Sequence, residues 1–243
     1  MQNPTVSVVV PALNEAENVK PLVDEIMAVA NQFPLAEIVY VDDGSTDNTV
    51  EVLKSLRGSV NFLKILKHDR RSGQSAAMMT GARGACGDVI ITMDGDGQND
   101  PADIPLLYNL YLKHYQNDNL GMVAGQRRKR NDSWSKRVSS RLANKIRAFL
   151  LNDGVRDTGC SLKLIRRDVY VRLPYFSHMH RYLPALVKRE GYQIALVDVN
   201  HRPRLRGVSK YGFWNRLWVG IVDLMGVMWL QARAKMPGKV DQV

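Results

Sequence analysis

Short apolar runs alternate with amphipathic stretches over the first 125 residues of the 243-residue chain. Runs of four to eight apolar and β-branched residues between Gly, Pro and Asp are typical of buried strands, and apolar positions recurring at helical spacing indicate helices. On this pattern we predict five strands, at residues 5–10, 37–41, 62–66, 88–93 and 121–125. Helices are predicted between them. Such alternation predicts an α/β fold with a mostly parallel, doubly wound sheet.

Acidic residues follow two of the predicted strands directly. Asp42 and Asp43 come after the strand at 37–41, and Asp94 and Asp96 follow the strand at 88–93. Ligands of open α/β sheets bind at the carboxyl ends of the strands. Two carboxylates one residue apart suit a hard divalent cation that also holds phosphate oxygens. An Asp-x-Asp alone is equally typical of a solvated turn, but two acidic loops at one sheet edge favour a ligand site.

Charge is distributed unevenly along the chain. The net charge is +10, but residues 1–126 hold 9 Lys+Arg and 16 Asp+Glu, a net −7, whereas residues 127–243 hold 25 and 8, a net +17. A strongly basic half predicts contact with an anion, such as phosphate groups, an anionic membrane or nucleic acid. Two cysteines without zinc spacing, and a first segment without a signal-peptide pattern, favour a reduced, cytosolic chain.

Four segments carry a family resemblance. They read Val8-Val-Val-Pro-Ala-Leu-Asn-Glu15, Val41-Asp-Asp-Gly-Ser-Thr-Asp47, Gly73-Gln-Ser-Ala-Ala77 and Met93-Asp-Gly-Asp-Gly-Gln98. Together they resemble family 2 glycosyltransferases with the A-type fold, and most of all the polyprenyl-phosphate sugar transferases of the dolichol-phosphate mannose synthase type. The first acidic loop has no Gly-x-Gly-x-x-Gly, and Gly-x-x-x-x-Gly-Lys occurs nowhere, which disfavours dinucleotide and P-loop sites.

The resemblance implies a nucleotide-sugar site with a divalent cation. Asp94, Asp96 and Gln98 would hold Mg²⁺ or Mn²⁺ and the diphosphate, with Asp96 as a catalytic residue. A divalent ion stabilises the charge that develops on the leaving diphosphate. The residues implied for the base and ribose are Pro11, Leu13, Glu15, Asp42 and Asp43.

The basic half is expected to bind the acceptor. In the family, an arginine near the phosphates matches Arg127. A basic residue and a Ser or Asn on the next predicted helix, at 133–151, approach the lipid phosphate. The candidates on that helix are Arg137, Ser140 and Asn144.

Two later segments add catalytic candidates. Residues 156–167 loosely resemble the Asp-x-x-Ser-Gly-Phe-Arg region of the family, from which Cys160 and Ser161 depart. Asp157 in this segment is a general base, a group that orients the acceptor, or a turn residue. The stretch at 204–210 matches the family motif Arg-x-x-Gly-x-Ser-Lys. It implies a mobile loop that closes over the phosphates, carrying Arg204, Ser209 and Lys210.

Residues 213–230 are apolar over about the length of a membrane span, but Arg216 and Asp223 interrupt them. At helical spacing the polar and small residues fall on one side. The apolar residues on the other are Trp214, Leu217, Trp218, Ile221, Met225, Met228 and Trp229. We expect an amphipathic helix that lies on the membrane or packs on a membrane-protein partner, with basic residues after it for anionic headgroups. The alternative is a helix packed on the core.

These observations predict a catalytic domain at 1–211, with a nucleotide-sugar half at 1–126 and an acceptor half at 127–211, followed by an amphipathic helix and basic tail at 212–243. The expected reaction is inverting sugar transfer to a polyprenyl phosphate at the cytosolic membrane face. GDP-mannose is the commonest donor of the family, and a UDP-sugar is the other choice. The alternative is the same fold acting on a sugar hydroxyl with Asp157 as base. A nucleic-acid-binding module is disfavoured because aromatic residues do not interleave with the basic loops.

Overall fold

The computed structural model describes residues 3–115, 119–127, 147–203 and 213–235, with side chains of the last helix described from residue 219. Within these residues, seven strands form one sheet: β1 (Val6–Ala12), β2 (Leu35–Asp42), β3 (Leu63–Lys67), β4 (Val89–Thr92), β5 (Leu120–Arg127), β6 (Lys163–Arg166) and β7 (Gln193–Val199). The helices are α1 (Ala16–Val29), α2 (Thr49–Arg57), α3 (Gln74–Gly84), α4 (Ile104–His114), α5 (Arg167–Tyr170), α6 (Leu183–Arg189) and α7 (Phe213–Ala232).

The sheet has the order β3-β2-β1-β4-β6-β5-β7. Strands β1 to β4 are mutually parallel, β7 is parallel to β5, and β6 runs antiparallel between β4 and β5. The predicted α/β fold with a mostly parallel sheet is therefore confirmed, and β6 is a strand that the hydrophobic pattern did not predict. Because β6 is antiparallel, its first residue, Lys163, lies at the edge where β4 ends and pairs with Thr92 and Ala124.

Helices cover both faces of the sheet. Helices α1, α2 and α4 pack on one face, and α3, α5, α6 and part of α7 pack on the other. The inner strands β1 and β4 are buried almost throughout, which explains why they read as continuous apolar runs rather than alternating ones. Helix α3 approaches the sheet closely at Gly81, where a β-carbon would lie 2.4 Å from Val9 Cγ1. This close contact fixes the position of α3, whose first turn reaches the site described next.

Candidate active site

The acidic loop after β4 follows a fixed path over the end of β1. A β-carbon on Gly95 would lie 3.0 Å from the Pro11 carbonyl oxygen, and Gly97 has a φ of +73°, which favours glycine. Asp96 is buried, and its Oδ1 accepts a hydrogen bond from the Gln98 N–H at 3.1 Å. The two carboxylates of this loop therefore lie at the carboxyl edge of the sheet, as the sequence predicted.

Asn99 joins the acidic loop to the segment before β6. Its Oδ1 accepts hydrogen bonds from the Asp94 N–H at 2.9 Å and from the Ser161 hydroxyl at 2.7 Å. On the other side, the Arg202 N–H donates to the Gln98 carbonyl at 2.9 Å. Ser161, which departs from the family pattern, thus contacts the acidic loop directly. Arg202 fixes the chain beside that loop two residues before the predicted basic loop begins.

The Asp43 carboxylate holds the loop that precedes α3. Its Oδ1 accepts from the Ser72 N–H and its Oδ2 from the Gly73 N–H, each at 2.8 Å. His68 Nδ1 lies 2.8 Å from the same carboxylate, and His68 Nε2 lies 3.0 Å from Thr80 Oγ1 on α3. Asp43 therefore positions the chain that leads into α3. Its predicted contact with the nucleotide stays a prediction.

The first turn of α3 contacts the acidic loop. The Gln74 side-chain amide donates to Asp94 Oδ1 at 2.7 Å. The next residue, Ser75, is buried, and its Oγ lies 2.8 Å from His180 Nδ1 and accepts from the His180 backbone N–H at 3.3 Å. With that N–H donating to the serine oxygen, the serine hydroxyl is placed to donate to Nδ1 of a neutral imidazole. His180 was missed by the sequence reasoning, since its partner lies 105 residues away.

His180 makes stability depend on pH. Burial, with the positive charges of Arg181, Lys163 and His178, lowers its pKa from 6.5 to about 3. Between about pH 6.5 and 3 the imidazole of the unfolded chain binds a proton that the imidazole of the folded chain does not. The contribution of His180 to the unfolding free energy is therefore complete above pH 6.5 and decreases as the pH falls toward 3. In His180→Gln, the loss of unfolding free energy between pH 7 and pH 4 should be smaller than in wild type by about 3 kcal/mol. Urea unfolding at both pH values measures this. Equal losses in both proteins would contradict the neutral, buried histidine.

Asp42 is a buried carboxylate at the carboxyl end of β2. The residue is fully buried, and its Oδ2 accepts from the Ser45 N–H at 3.2 Å. Within the described ranges, its Oδ1 is buried without a hydrogen-bond partner. Buried polar atoms are normally satisfied, so this oxygen is suited to accept from a bound ligand. The half-buried residues predicted beside it, on the end of β1 and the loop after it, are Pro11, Leu13 and Glu15.

The loops after β1 and β2 are bonded to each other. The Asn14 N–H donates to Ser45 Oγ at 2.9 Å, and the Thr46 N–H donates to Asn14 Oδ1 at 2.8 Å. The Glu15 N–H donates to Thr49 Oγ1 at 2.9 Å. These bonds hold the predicted base and ribose contacts on one connected surface.

Arg127 and Asp157 form a two-point ion pair on the other side of the acidic loop. Arg127 Nε donates to Asp157 Oδ2, and Nη2 donates to Oδ1 at 2.7 Å. The Asp157 N–H donates to Gln126 Oε1 at 3.0 Å. Gly159 packs closely against the pair, since a β-carbon there would lie 3.1 Å from Arg127 Nη2. Two residues that the sequence assigned to separate roles are therefore direct partners.

Lys163 is a buried cation below this pair. It is 2% exposed, and its Nζ donates to the carbonyl of Cys160 and, at 3.4 Å, to that of Thr158. Burial lowers the pKa of its ammonium group, and the negative charges of Asp94 and Asp157 oppose this effect. Nothing in the sequence indicates this role, because a lysine in a basic segment is normally exposed.

Several predicted residues fall outside the described ranges. They are Arg137, Ser140, Asn144, Arg204, Ser209 and Lys210. Of the predicted helix at 133–151, the described part, residues 147–151, is helical. No group of three or more His, Cys, Asp and Glu side chains that could hold a metal ion occurs in the part of the chain that the structure describes.

Known proteins resemble this chain in sequence and in fold. Residues 7–173 match the family described as Glycosyl transferase family 2. A dodecaprenyl-phosphate galacturonate synthase from Rhizobium johnstonii is 35% identical over 243 residues, which cover 98% of this chain and 70% of that protein. An undecaprenyl-phosphate 4-deoxy-4-formamido-L-arabinose transferase from Aeromonas hydrophila is 32% identical over 211 residues, covering 85% of this chain and 63% of that protein. The chain thus spans roughly two thirds of the length of these relatives.

A solved structure shares the fold. Glucosyl-3-phosphoglycerate synthase from Mycobacterium tuberculosis, in complex with Mn²⁺, UDP and glucosyl-3-phosphoglycerate, superposes with a TM-score of 0.71 at 19% identity, over 97% of this chain and 81% of that one. A mostly parallel sheet with an Asp-x-Asp loop at its carboxyl edge defines a glycosyltransferase of the A-type fold. The chain belongs to glycosyltransferase family 2, and the predicted resemblance is confirmed.

Proposed function

We propose that the chain transfers a sugar, with inversion, from a nucleotide-sugar to a polyprenyl phosphate. The observation that carries this proposal is the two-point bond between Arg127 and Asp157. A hydroxyl acceptor requires a general base, and Asp157 is the candidate for that role. A carboxylate held by a guanidinium on both oxygens is a poor proton acceptor. A phosphate monoester needs no such base, because its second pKa lies near 6 and it is a nucleophile at neutral pH.

The names of the relatives support the acceptor. Both names contain a polyprenyl phosphate, which is dodecaprenyl phosphate in one and undecaprenyl phosphate in the other. The basic second half of the chain provides positive charge for such an acceptor, with Arg127, Arg137, Ser140, Asn144, Arg204, Ser209 and Lys210 as the proposed contacts. Their role is to position the phosphate opposite the leaving diphosphate.

The acidic loop suits a divalent cation. Asp94, Asp96 and Gln98 offer the oxygen ligands that Mg²⁺ and Mn²⁺ prefer. Mg²⁺ usually takes one or two protein carboxylates together with substrate phosphates and water, so a larger protein cluster is not required. When bound, the ion supplies positive charge to the diphosphate as it leaves. The protein holds its own ligands in place, Asp94 through Gln74 and Asp96 through the Gln98 N–H.

The donor sugar is proposed more broadly than in the sequence analysis. GDP-mannose, the expected donor, stays a prediction. The relatives' names contain galacturonate and 4-deoxy-4-formamido-L-arabinose, and the structure of glucosyl-3-phosphoglycerate synthase, which shares the fold, contains UDP. These names favour testing a UDP-linked uronic acid or amino sugar beside GDP-mannose. Asp42 Oδ1, which has no hydrogen-bond partner among the described residues, would accept a hydrogen bond from the ribose or base in either case.

The test is transfer of radiolabel from a panel of GDP- and UDP-sugars to a short polyprenyl phosphate, with Mg²⁺ or Mn²⁺. Label that enters the lipid phase from one donor would establish the reaction and name the sugar. Metal-dependent donor hydrolysis without lipid labelling would retain the donor site and reject the acceptor. Neither signal would reject the whole proposal.

Helix α7 supports a location on the membrane surface. Its polar and small side faces the protein, because the Tyr182 hydroxyl donates to the Gly220 carbonyl at 3.1 Å and His178 Nδ1 lies 3.2 Å from Asp223. Val227 is buried in the core. Its outer side is apolar and exposed, with Val222, Met225 and Trp229 each more than 60% exposed. No helix among the described residues is long and apolar enough to cross a membrane. We propose that the outer side lies in the membrane interface.

The membrane proposal makes a direct prediction. Replacing Val222, Met225 and Trp229 together by Ser, Gln and Gln should lower binding to vesicles containing anionic lipid by about tenfold or more, because their apolar surface no longer leaves water. Vesicle flotation measures this. The matched control is Phe62→Ser with Leu106→Ser, two exposed apolar residues far from α7 in the chain. If the triple variant floats like the control, α7 does not bind the membrane.

A further inference from the structure

Lys163 links the two halves of the site. It starts β6, between the last residues of β4 and the middle of β5, so its strand separates the acidic loop from the Arg127–Asp157 pair. It is almost fully buried among strands. Placing a lysine there costs free energy that an apolar side chain would not. The contacts it makes should therefore explain its presence.

The contacts of Lys163 converge on one turn. Its Nζ donates to the carbonyls of Thr158 and Cys160, so it bonds both sides of Gly159. This turn follows Asp157 directly. It runs against the ion pair, since a β-carbon on Gly159 would lie 3.1 Å from Arg127 Nη2 and 3.4 Å from Asp157 Oδ1. A shift of the turn would move the carboxylate that orients the guanidinium.

The charge of Lys163 acts in the same region. Asp94 and Asp157 both favour its protonated form, and Arg127 disfavours it. Lys163 is thus a buried lysine on the strand between the acidic loop and the ion pair.

We propose that Lys163 is a positioning residue for the acceptor side of the site: by bonding the Thr158–Cys160 turn it holds Asp157, and through Asp157 the Arg127 guanidinium, in the orientation that receives the acceptor phosphate. This rests on the proposed function. The donor side depends on other contacts, those of Asp43, Gln74 and Asn99. Loss of Lys163 should therefore impair acceptor use more than nucleotide binding.

The test compares Lys163→Met, which removes the donors and the charge but keeps an unbranched side chain, with Lys54→Met on the exposed side of α2. We expect Lys163→Met to lower kcat/KM for polyprenyl phosphate by about thirtyfold, and the affinity for nucleoside diphosphate with Mn²⁺, measured by calorimetry, to change by less than about threefold. Lys54→Met should match wild type in both. An equal loss of acceptor use and nucleotide binding would overturn the proposal.

A double-mutant cycle with Asp157→Asn separates positioning from general stability. If Lys163 acts through Asp157, the kcat/KM of the double variant for polyprenyl phosphate should be within about threefold of that of the less active single variant. Multiplied effects would overturn the proposal. Should Lys163→Met fail to fold, Gly159→Ala disturbs the same turn from the other side, and wild-type acceptor kinetics in that variant would overturn it equally. Wild-type transfer is measured first: its absence would reject the proposed function, whereas an unselective loss in Lys163→Met would reject only the role of Lys163.

Discussion

We expect Asp96→Ala to lower the rate of sugar transfer by about a thousandfold while the chain keeps its fold. Asp96 lies at the carboxyl edge of the sheet in a loop whose path is set by Gly95 and Asn99. Loss of one group that stabilises charge in a transition state costs about a hundred- to a thousandfold, and loss of a metal ligand removes the ion's contribution as well. Transfer to polyprenyl phosphate at saturating donor and metal measures the effect.

The control for Asp96→Ala is Asp24→Ala. Asp24 pairs with Lys20 on the surface of α1 and its side chain is 56% exposed, so its loss should leave the rate unchanged. A second measurement is independent of turnover. Nucleoside diphosphate binding should be strengthened by Mn²⁺ in wild type and in Asp24→Ala, and not in Asp96→Ala. A rate within threefold of wild type in Asp96→Ala would mean that the loop is a turn without a metal role.

Gly44→Ala should destabilise the protein by about 3 kcal/mol and abolish nucleotide binding. Gly44 has a φ of +75°, and a β-carbon there would lie 2.8 Å from the backbone of Arg70 and Arg71. The left-handed conformation alone costs a residue with a side chain about 1 kcal/mol, and the backbone contact adds more. The displaced chain is the loop that Asp43 holds at Ser72 and Gly73. The damage should therefore reach the contact of Gln74 with the acidic loop.

The matched control is Gly58→Ala at the end of α2. Gly58 has helical φ and ψ of −69° and −25°, and a β-carbon there would have its nearest neighbour at 3.9 Å. Alanine at such a position should leave stability unchanged or raise it by about 0.5 kcal/mol. Thermal unfolding and calorimetric titration with nucleoside diphosphate compare the two variants. Equal stability and nucleotide affinity in both would show that the loop tolerates displacement.

Much of the fold could be predicted because its strands are distinct in composition. Strands β1, β2 and β4 are rich in Val and Ile and bounded by polar residues, and each lies close to its predicted place. Strand β6 was missed because it has four residues, Lys163–Arg166, of which the first and last are basic. A strand that short is recognisable only through its neighbours, and these come from distant parts of the chain.

Some residues of the candidate site could likewise be predicted from the sequence, and others could not. The Asp94 and Asp96 carboxylates could be predicted because their spacing and the preceding strand are local features. The roles of His180 and Lys163 could not be predicted. His180 contacts Ser75, which lies 105 residues away, and Lys163 is buried because its strand lies between β4 and β5. Periodicity also predicted a helix with a polar and an apolar side at α7, but not which side faces the protein. Tyr182 and His178 determine that, by bonding Gly220 and Asp223. The predicted places of Trp214, Leu217 and Trp218 on the apolar side stay predictions, since the described side chains of α7 begin at residue 219.

A phosphate acceptor distinguishes the proposed reaction from transfer to a hydroxyl. Its most direct test offers the wild-type protein two acceptors that differ in one group, a short polyprenyl phosphate and the polyprenol of the same length, with the labelled donor that the panel identifies. We expect label in the phosphate product and none in the alcohol, since only the phosphate is a nucleophile without a general base. Equal labelling of the polyprenol, or labelling of a sugar hydroxyl with neither lipid labelled, would contradict this expectation.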